Sequence, residues 1–94
     1  MVRHIVFTKF LDPETDGPEA VRLLSALPDE IPEIVSLEAA CDSKRSERSW
    51  DTALTVVFRS MADLAVYDAH PAHQKVRAFI KAHRTATATV DFEF

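Results

Sequence analysis

Apolar residues recur along the first stretch of the chain, from Val2 to Leu11, and Asp12-Pro13 closes it, which is the signature of a β-strand. One face carries Val2, His4, Val6, Thr8 and Phe10. The other carries Arg3, Ile5, Phe7, Lys9 and Leu11. Both faces are substantially apolar, which predicts a central strand covered on both sides. Asp12 to Gly17 reads as a polar loop with Asp-Pro and Asp-Gly turn signals. Pro18 then suits a helix start, with Glu19 favourable near its positive end. Val21, Leu24 and Leu27 follow at helical spacing, and Ala20 and Leu23 widen the stripe. Pro28 limits the last turn, and Pro32 ends any residual helix.

Ile34 to Asp42 alternates again, with Val35, Leu37, Ala39 and Cys41 on one face and mostly polar residues on the other. Ser43 to Ser49 is a charged loop. Trp50 to Arg59 is a third strand, apolar on both faces and therefore central. Ser60 caps the next helix, with Asp63 three residues on. That helix stops near His70, because Pro71 disfavours the helical conformation of the residue before it. A new helix starts with Pro71 at its first position, where a missing donor costs nothing. His73, Val76, Ile80 and His83 share one arc of it, with Phe79 beside them, so His73 lies at the edge of the apolar stripe. Thr85 to Phe94 is the last strand, with Ala88, Val90, Phe92 and Phe94 alternating with Thr87, Thr89, Asp91 and Glu93.

The element order β-α-β-β-α-β, joined by right-handed crossovers, predicts a ferredoxin-like α+β fold: a single domain over residues 1–94 with an antiparallel sheet in the order 4-1-3-2. The first and third strands then lie in the middle, in agreement with their two-sided apolarity. Helices cover one face of such a sheet. The other face still carries large apolar side chains, Ile5 and Phe7 on the first strand among them, and a row of that size is an association site. A second copy packed sheet against sheet, in a symmetric homodimer, would cover it. Alternation alone leaves open which parity faces the helices.

Composition adds limits. Of the 94 residues 47% are apolar, enough for a core and too many for disorder. The net charge of −4 argues against nucleic acid or an anionic membrane as partner. No apolar run approaches the ~20 residues of a membrane span, and no signal peptide is recognisable. Cys41 is the only cysteine, which excludes an intrachain disulfide and fits a reducing, cytoplasmic setting. It reads as a small buried apolar residue. The basic run Lys44-Arg45-Ser46-Glu47-Arg48 is broken by an acid and reads as a solvated loop. With one glycine in the chain there is no phosphate-cradling loop.

Candidate chemistry concentrates at the helix break. Tyr67, His70 and His73 surround Pro71, and imidazole is the side chain best matched to proton transfer near neutral pH. His73 is a candidate general base or, more simply, a histidine that holds the break. Tyr67 is a candidate oxyanion donor or a core filler with one partner for its hydroxyl. His4 is a candidate base or a satisfied buried histidine. His70 and Trp50 are candidate ligand contacts; Trp50 stands at a loop–strand junction, where it rims a pocket or simply packs. His70 and His73 span a break with no cysteine or fixed carboxylate beside them, so no metal site is expected. No cofactor is expected either.

Several segments together resemble a known family. They are Arg3-His4-Ile5-Val6-Phe7-Thr8-Lys9-Phe10, Ile31-Pro32-Glu33-Ile34, Trp50-Asp51-Thr52-Ala53-Leu54, the Tyr67 to Gln74 stretch with its His-Pro-Ala-His-Gln motif, and the closing Val90-Asp91-Phe92. They are similar to the stress-responsive α/β-barrel (Dabb) domain, whose ferredoxin-like subunits join two sheets into a barrel across a homodimer. The resemblance implies that His4 points inward. A plant polyketide cyclase of this fold uses a Tyr and a His as its catalytic pair; matched by motif, these are Tyr67 and His73, with a first-strand histidine, His4, near the pocket. One departure is Glu33, where the family commonly has glycine. The resemblance implies a homodimeric small-ligand-binding or stress-associated protein whose ligand is small, apolar and carbonyl-containing. Its alternatives are a cyclase- or isomerase-like enzyme with a Tyr/His acid–base pair, and a cofactor-free monooxygenase-like member of the superfamily.

Overall fold

The first alternating stretch forms β1 (Val2–Phe10) in a computed structural model that describes residues 1–94. There follow α1 (Pro13–Ser25), a 3₁₀ turn at Leu27–Asp29, β2 (Ser36–Cys41), β3 (Thr52–Phe58), α2 (Met61–Ala69), α3 (Pro71–His83) and β4 (Arg84–Glu93). The four strands make one antiparallel ferredoxin-like sheet in the order β2-β3-β1-β4, so β3 and β1 are central as expected.

The break between α2 and α3 forms as Pro71 dictates. Ser60 caps α2 by accepting the Asp63 N–H at 3.1 Å. His70 takes an extended conformation, ends α2 and caps α3, and Pro71 is the first residue of α3.

The first helix departs from expectation: it begins at Pro13 rather than Pro18. Asp12 and Pro13 form a helix start rather than a turn. The Asp12 carbonyl accepts the Thr15 and Asp16 N–H groups, and the Asp12 N–H donates to the buried Asp16 carboxylate at 3.2 Å. Pro18 sits inside the helix on its exposed side and supplies no N–H to the Glu14 carbonyl. Two smaller differences follow from position. Cys41 is exposed, not buried, because it is the last residue of an edge strand. Glu33 keeps a negative φ, so the turn needs no glycine there.

The core lies between the helices and the sheet face that carries the even-numbered residues of β1 and β3 and the odd-numbered residues of β2 and β4. Val2, Val56, Phe58 and Tyr67 are fully buried in it, with Leu27 and Ile31 from the segment after α1. Loop 42–51 is tied to the end of β1 through Asp51. Its carboxylate accepts the Phe10 N–H at 2.7 Å and the Arg45 guanidinium at 2.7 Å, and its own N–H donates to Thr8.

The opposite face is uncovered in the single chain. Phe7 is 42% exposed, Val90 61% and Phe92 39%, with Ile5 paired between Thr55 and Val90. The two-sided apolarity of β1 and β3 is thus satisfied by helices on one side only. On the helix side, the helices sit over β1, β2 and β3 and leave β4 open, so Thr87, Thr89 and Asp91 are exposed there. That gap between α3 and β4 positions the site.

A candidate acid–base site between sheet and helices

The gap is a cavity of about 400 Å³. Its sheet wall carries His4, Val6 and Leu54, and its helix wall carries Tyr67, His73, Arg77 and Ile80. Thr87, Thr89 and Asp91 of β4 line the remaining side. His4, Tyr67 and His73, which the sequence placed on three separate elements, therefore share one void.

Tyr67 forms the floor of this void and is 0% exposed. The spacing from Leu64 turns it into the core, where three rings surround it. Phe58 lies 5.1 Å away, His73 stacks on it at 4.0 Å, and His4 meets it edge-on at 6.0 Å between ring centroids. Its hydroxyl has no hydrogen-bond partner. A buried hydroxyl left unpaired costs about 1–3 kcal/mol. Burial, reinforced by the negative charge of Asp68, raises its pKa, so the phenol stays protonated and can only donate or accept as a neutral group.

His73 stands in the first turn of α3. Its Nδ1–H donates to the Asp68 carbonyl at 3.4 Å, which leaves Nε2 as the lone-pair nitrogen of the neutral ring. Burial lowers its pKa, more than the Asp68 contacts raise it, and the charge of Arg77 adds to the lowering. Near neutral pH His73 is therefore an unprotonated base beside a protonated phenol.

His4 projects from β1 next to Asp91 of β4, and the strand register pairs the two residues directly. Its Nδ1–H is engaged by the Asp91 carboxylate, which fixes the ring and again leaves Nε2 free. Asp91 was not legible as a site residue. Its alternation with Thr87 and Thr89 put it on the same face as those hydroxyls, but its pairing with His4 depends on register. Arg77 and Arg84, which also line the cavity, left no signal beyond their charge.

Two sequence candidates stand elsewhere. The His70 Nδ1 accepts the Ala72 N–H at 3.1 Å and is committed to capping α3; the side chain lines a separate depression with Leu23, Leu27 and Val76. Trp50 packs against Phe7 on the outer side of the sheet, 6.5 Å between centroids, with the Lys9 ammonium 4.9 Å above its ring. His83 stacks on Phe79 at 4.2 Å and its Nδ1–H donates to the Phe79 carbonyl, which is a structural role.

The Stress responsive A/B Barrel Domain family model matches residues 2–94. Among solved structures, a dimeric protein of unknown function and ferredoxin-like fold from Bacteroides fragilis is 27% identical; the alignment covers 99% of this chain and 95% of that one, with a TM-score of 0.90. A hydroxynitrile lyase from Passiflora edulis is 16% identical over 97% of this chain and 90% of that one, with a TM-score of 0.82. An antibiotic biosynthesis monooxygenase is 17% identical over 100% of this chain and 98% of that one, with a TM-score of 0.78. The last two show the fold alone. No functionally curated protein matches the sequence.

Proposed function

The chain belongs to the stress-responsive A/B barrel domain family, and on that premise we propose that it is a homodimer in which each subunit binds a small carbonyl compound and moves a proton on it without a cofactor, as a cyclase or isomerase does. One observation carries this reading: a buried, unpartnered Tyr67 hydroxyl lies beside a neutral His73 in a cavity large enough for a small molecule. A ligand carbonyl oxygen that reaches the hydroxyl relieves the cost of its burial.

The step is a proton abstraction. His73 Nε2 takes a proton from the carbon next to the carbonyl, the electron pair of that C–H bond becomes the C=C bond of an enolate, and the carbonyl π pair moves onto oxygen. Tyr67 donates a hydrogen bond to that oxygen as its charge develops. In the isomerase case the imidazolium returns the proton to the far carbon of a conjugated dienolate; in the cyclase case the enolate carbon attacks a second carbonyl of the same molecule and the imidazolium protonates the alkoxide that forms. His4, oriented by Asp91, stands across the cavity as a second proton carrier.

The dimer reading rests on the uncovered apolar sheet face and on the dimeric state of the Bacteroides protein. Burial of three large side chains of about 2 kcal/mol each is worth several kcal/mol per subunit before association costs. The single thiol, Cys41, fits a reducing compartment such as the cytoplasm.

The test is hydrogen–deuterium exchange at the carbon next to the carbonyl of small ketones in deuterated water, followed by NMR. The wild type is expected to accelerate exchange, and His73→Ala to lose the acceleration while still folded. Binding without accelerated exchange in the wild type would leave a ligand-binding protein and remove the catalytic reading.

A further inference from the structure

We propose that the ligand of this cavity is an anion, with a carboxylate or phosphate group held between Arg77 and Arg84 at the cavity mouth. The proposal rests on the acid–base reading of the same cavity and names the class of molecule it takes. Arg77 and Arg84 both line the void that holds Tyr67 and His73. Lys81 lies between them on α3, and all three border one adjoining depression. Helical spacing puts Arg77 and Lys81 on one face of α3, and Arg84 follows where the chain leaves α3 for β4.

None of the three has a carboxylate partner. The ion pairs of the chain are His4–Asp91, Arg22–Glu19, Arg45–Asp42 and Arg45–Asp51. Acidic residues outnumber basic ones, 15 to 11, yet three cations gather around this one mouth. The negative end of α3 accounts for Lys81 in its last turn and for Arg84, the residue that follows it, but not for Arg77, which lies farther back than that effect extends. Two acids also line the cavity: Asp91, whose carboxylate is engaged by His4, and Asp68, which forms no ion pair with Arg77, Lys81 or Arg84. The Thr89 hydroxyl on β4 adds a neutral donor on the facing wall, whereas the Thr87 hydroxyl donates to the Phe7 carbonyl. Guanidinium groups suit this task because their planar forks match carboxylate and phosphate oxygens. An anion at the mouth directs the rest of the molecule inward along Val6, Leu54 and Ile80, toward Tyr67.

The probes are benzoylformate, its uncharged methyl ester, and phenyl phosphate, each titrated into isotope-labelled wild type and into the R77Q/R84Q double variant. The signals followed are those of His4, Tyr67 and His73. The wild type is expected to bind an anionic probe at least about tenfold more tightly than the ester. The double variant should lose that preference while its affinity for the ester stays within about twofold, with the ordering of the two anions identifying the head group. Should the double variant fail to fold, a salt titration of the wild type reads the same term, since added salt weakens anion binding and spares the ester. Equal binding of ester and anions, with shifts at all three residues, overturns the anion site and leaves the proton-transfer reading standing. No shift at the three residues with any probe overturns both.

Discussion

The imidazole of His73 lies on the face of the Tyr67 ring, 4.0 Å between centroids and 25° between planes. Each ring shields the other from water, so the base and the phenol acquire their unusual states together. Removal of the hydroxyl alone leaves the stack in place. Tyr67→Phe should therefore be as stable as the wild type, or more stable by about 1 kcal/mol, because a buried unpaired group is gone. The exchange activity should fall by about 10²-fold, the usual loss for one oxyanion donor. Urea unfolding and exchange rates together check this; a clear loss of stability would mean that the hydroxyl has a partner in the fold.

His73 should also make the fold sensitive to acid. Its pKa is lowered by burial in the folded state, so the unfolded chain binds the proton more readily. The sign follows: its contribution is fully present above the unfolded value near 6.5 and is lost as pH falls through the lower, folded value. The slope is at most about 1.4 kcal/mol per pH unit for one group. His73→Gln should flatten it. Stability measured between neutral and mildly acidic pH reads the slope directly, and an unchanged slope in the variant removes the assignment.

Asp91 orients His4 from an edge strand with its carboxylate 34% exposed. Asp91→Asn should cost no more than about 1 kcal/mol in stability, as for other accessible pairs. It should nevertheless reduce exchange, because the His4 ring loses the acceptor that fixes its tautomer. Nitrogen chemical shifts of the His4 ring follow the tautomer, and exchange rates follow the consequence. A ring that keeps its tautomer in the variant would show that another group orients it.

On the outer sheet face, Val90 is 61% exposed and Phe7 42%. Val90→Glu puts a charge into the proposed interface and should convert the dimer into a single copy, with an apparent loss of several kcal/mol at low protein concentration. Analytical ultracentrifugation separates the two states. A wild type that sediments as one copy removes the dimer.

Asp51 supports the site from a distance by holding loop 42–51 against β1. Burial pushes its carboxyl up, but the Phe10 N–H and the Arg45 guanidinium outweigh burial and hold its pKa below the usual carboxylate value. Its contribution is present above about pH 4 and is lost as pH falls through the folded value. Asp51→Ala should destabilise the protein by about 1–3 kcal/mol by stranding the Phe10 N–H, as denaturant unfolding would show. A neutral effect would mean that water replaces the carboxylate.

Much of this architecture was legible because its signals are local. Pro71 forced the break between α2 and α3, Ser60 capped α2, and alternation marked β1 and β3 as central. Where local signals have two meanings, the reading failed. Asp12-Pro13 is a turn or a helix start, and only the Asp16 carboxylate returning to the Asp12 N–H decided for the helix. Cys41 alternates with half-buried Leu37 and Ala39, yet at the end of an edge strand it stays exposed although its sulfur lies beside Gly17 of α1.

The amino-acid order alone thus determined the elements, their succession and the excess of apolar surface on the sheet, since each depends on residues within a turn or two of one another. Only the tertiary structure decided that His4 meets Asp91, 87 residues away, that Tyr67 and His73 stack, and that α3 leaves β4 uncovered. Strand register and helix placement are settled by how the whole chain fills its core. A cavity is what that filling leaves over, and no local pattern can specify it.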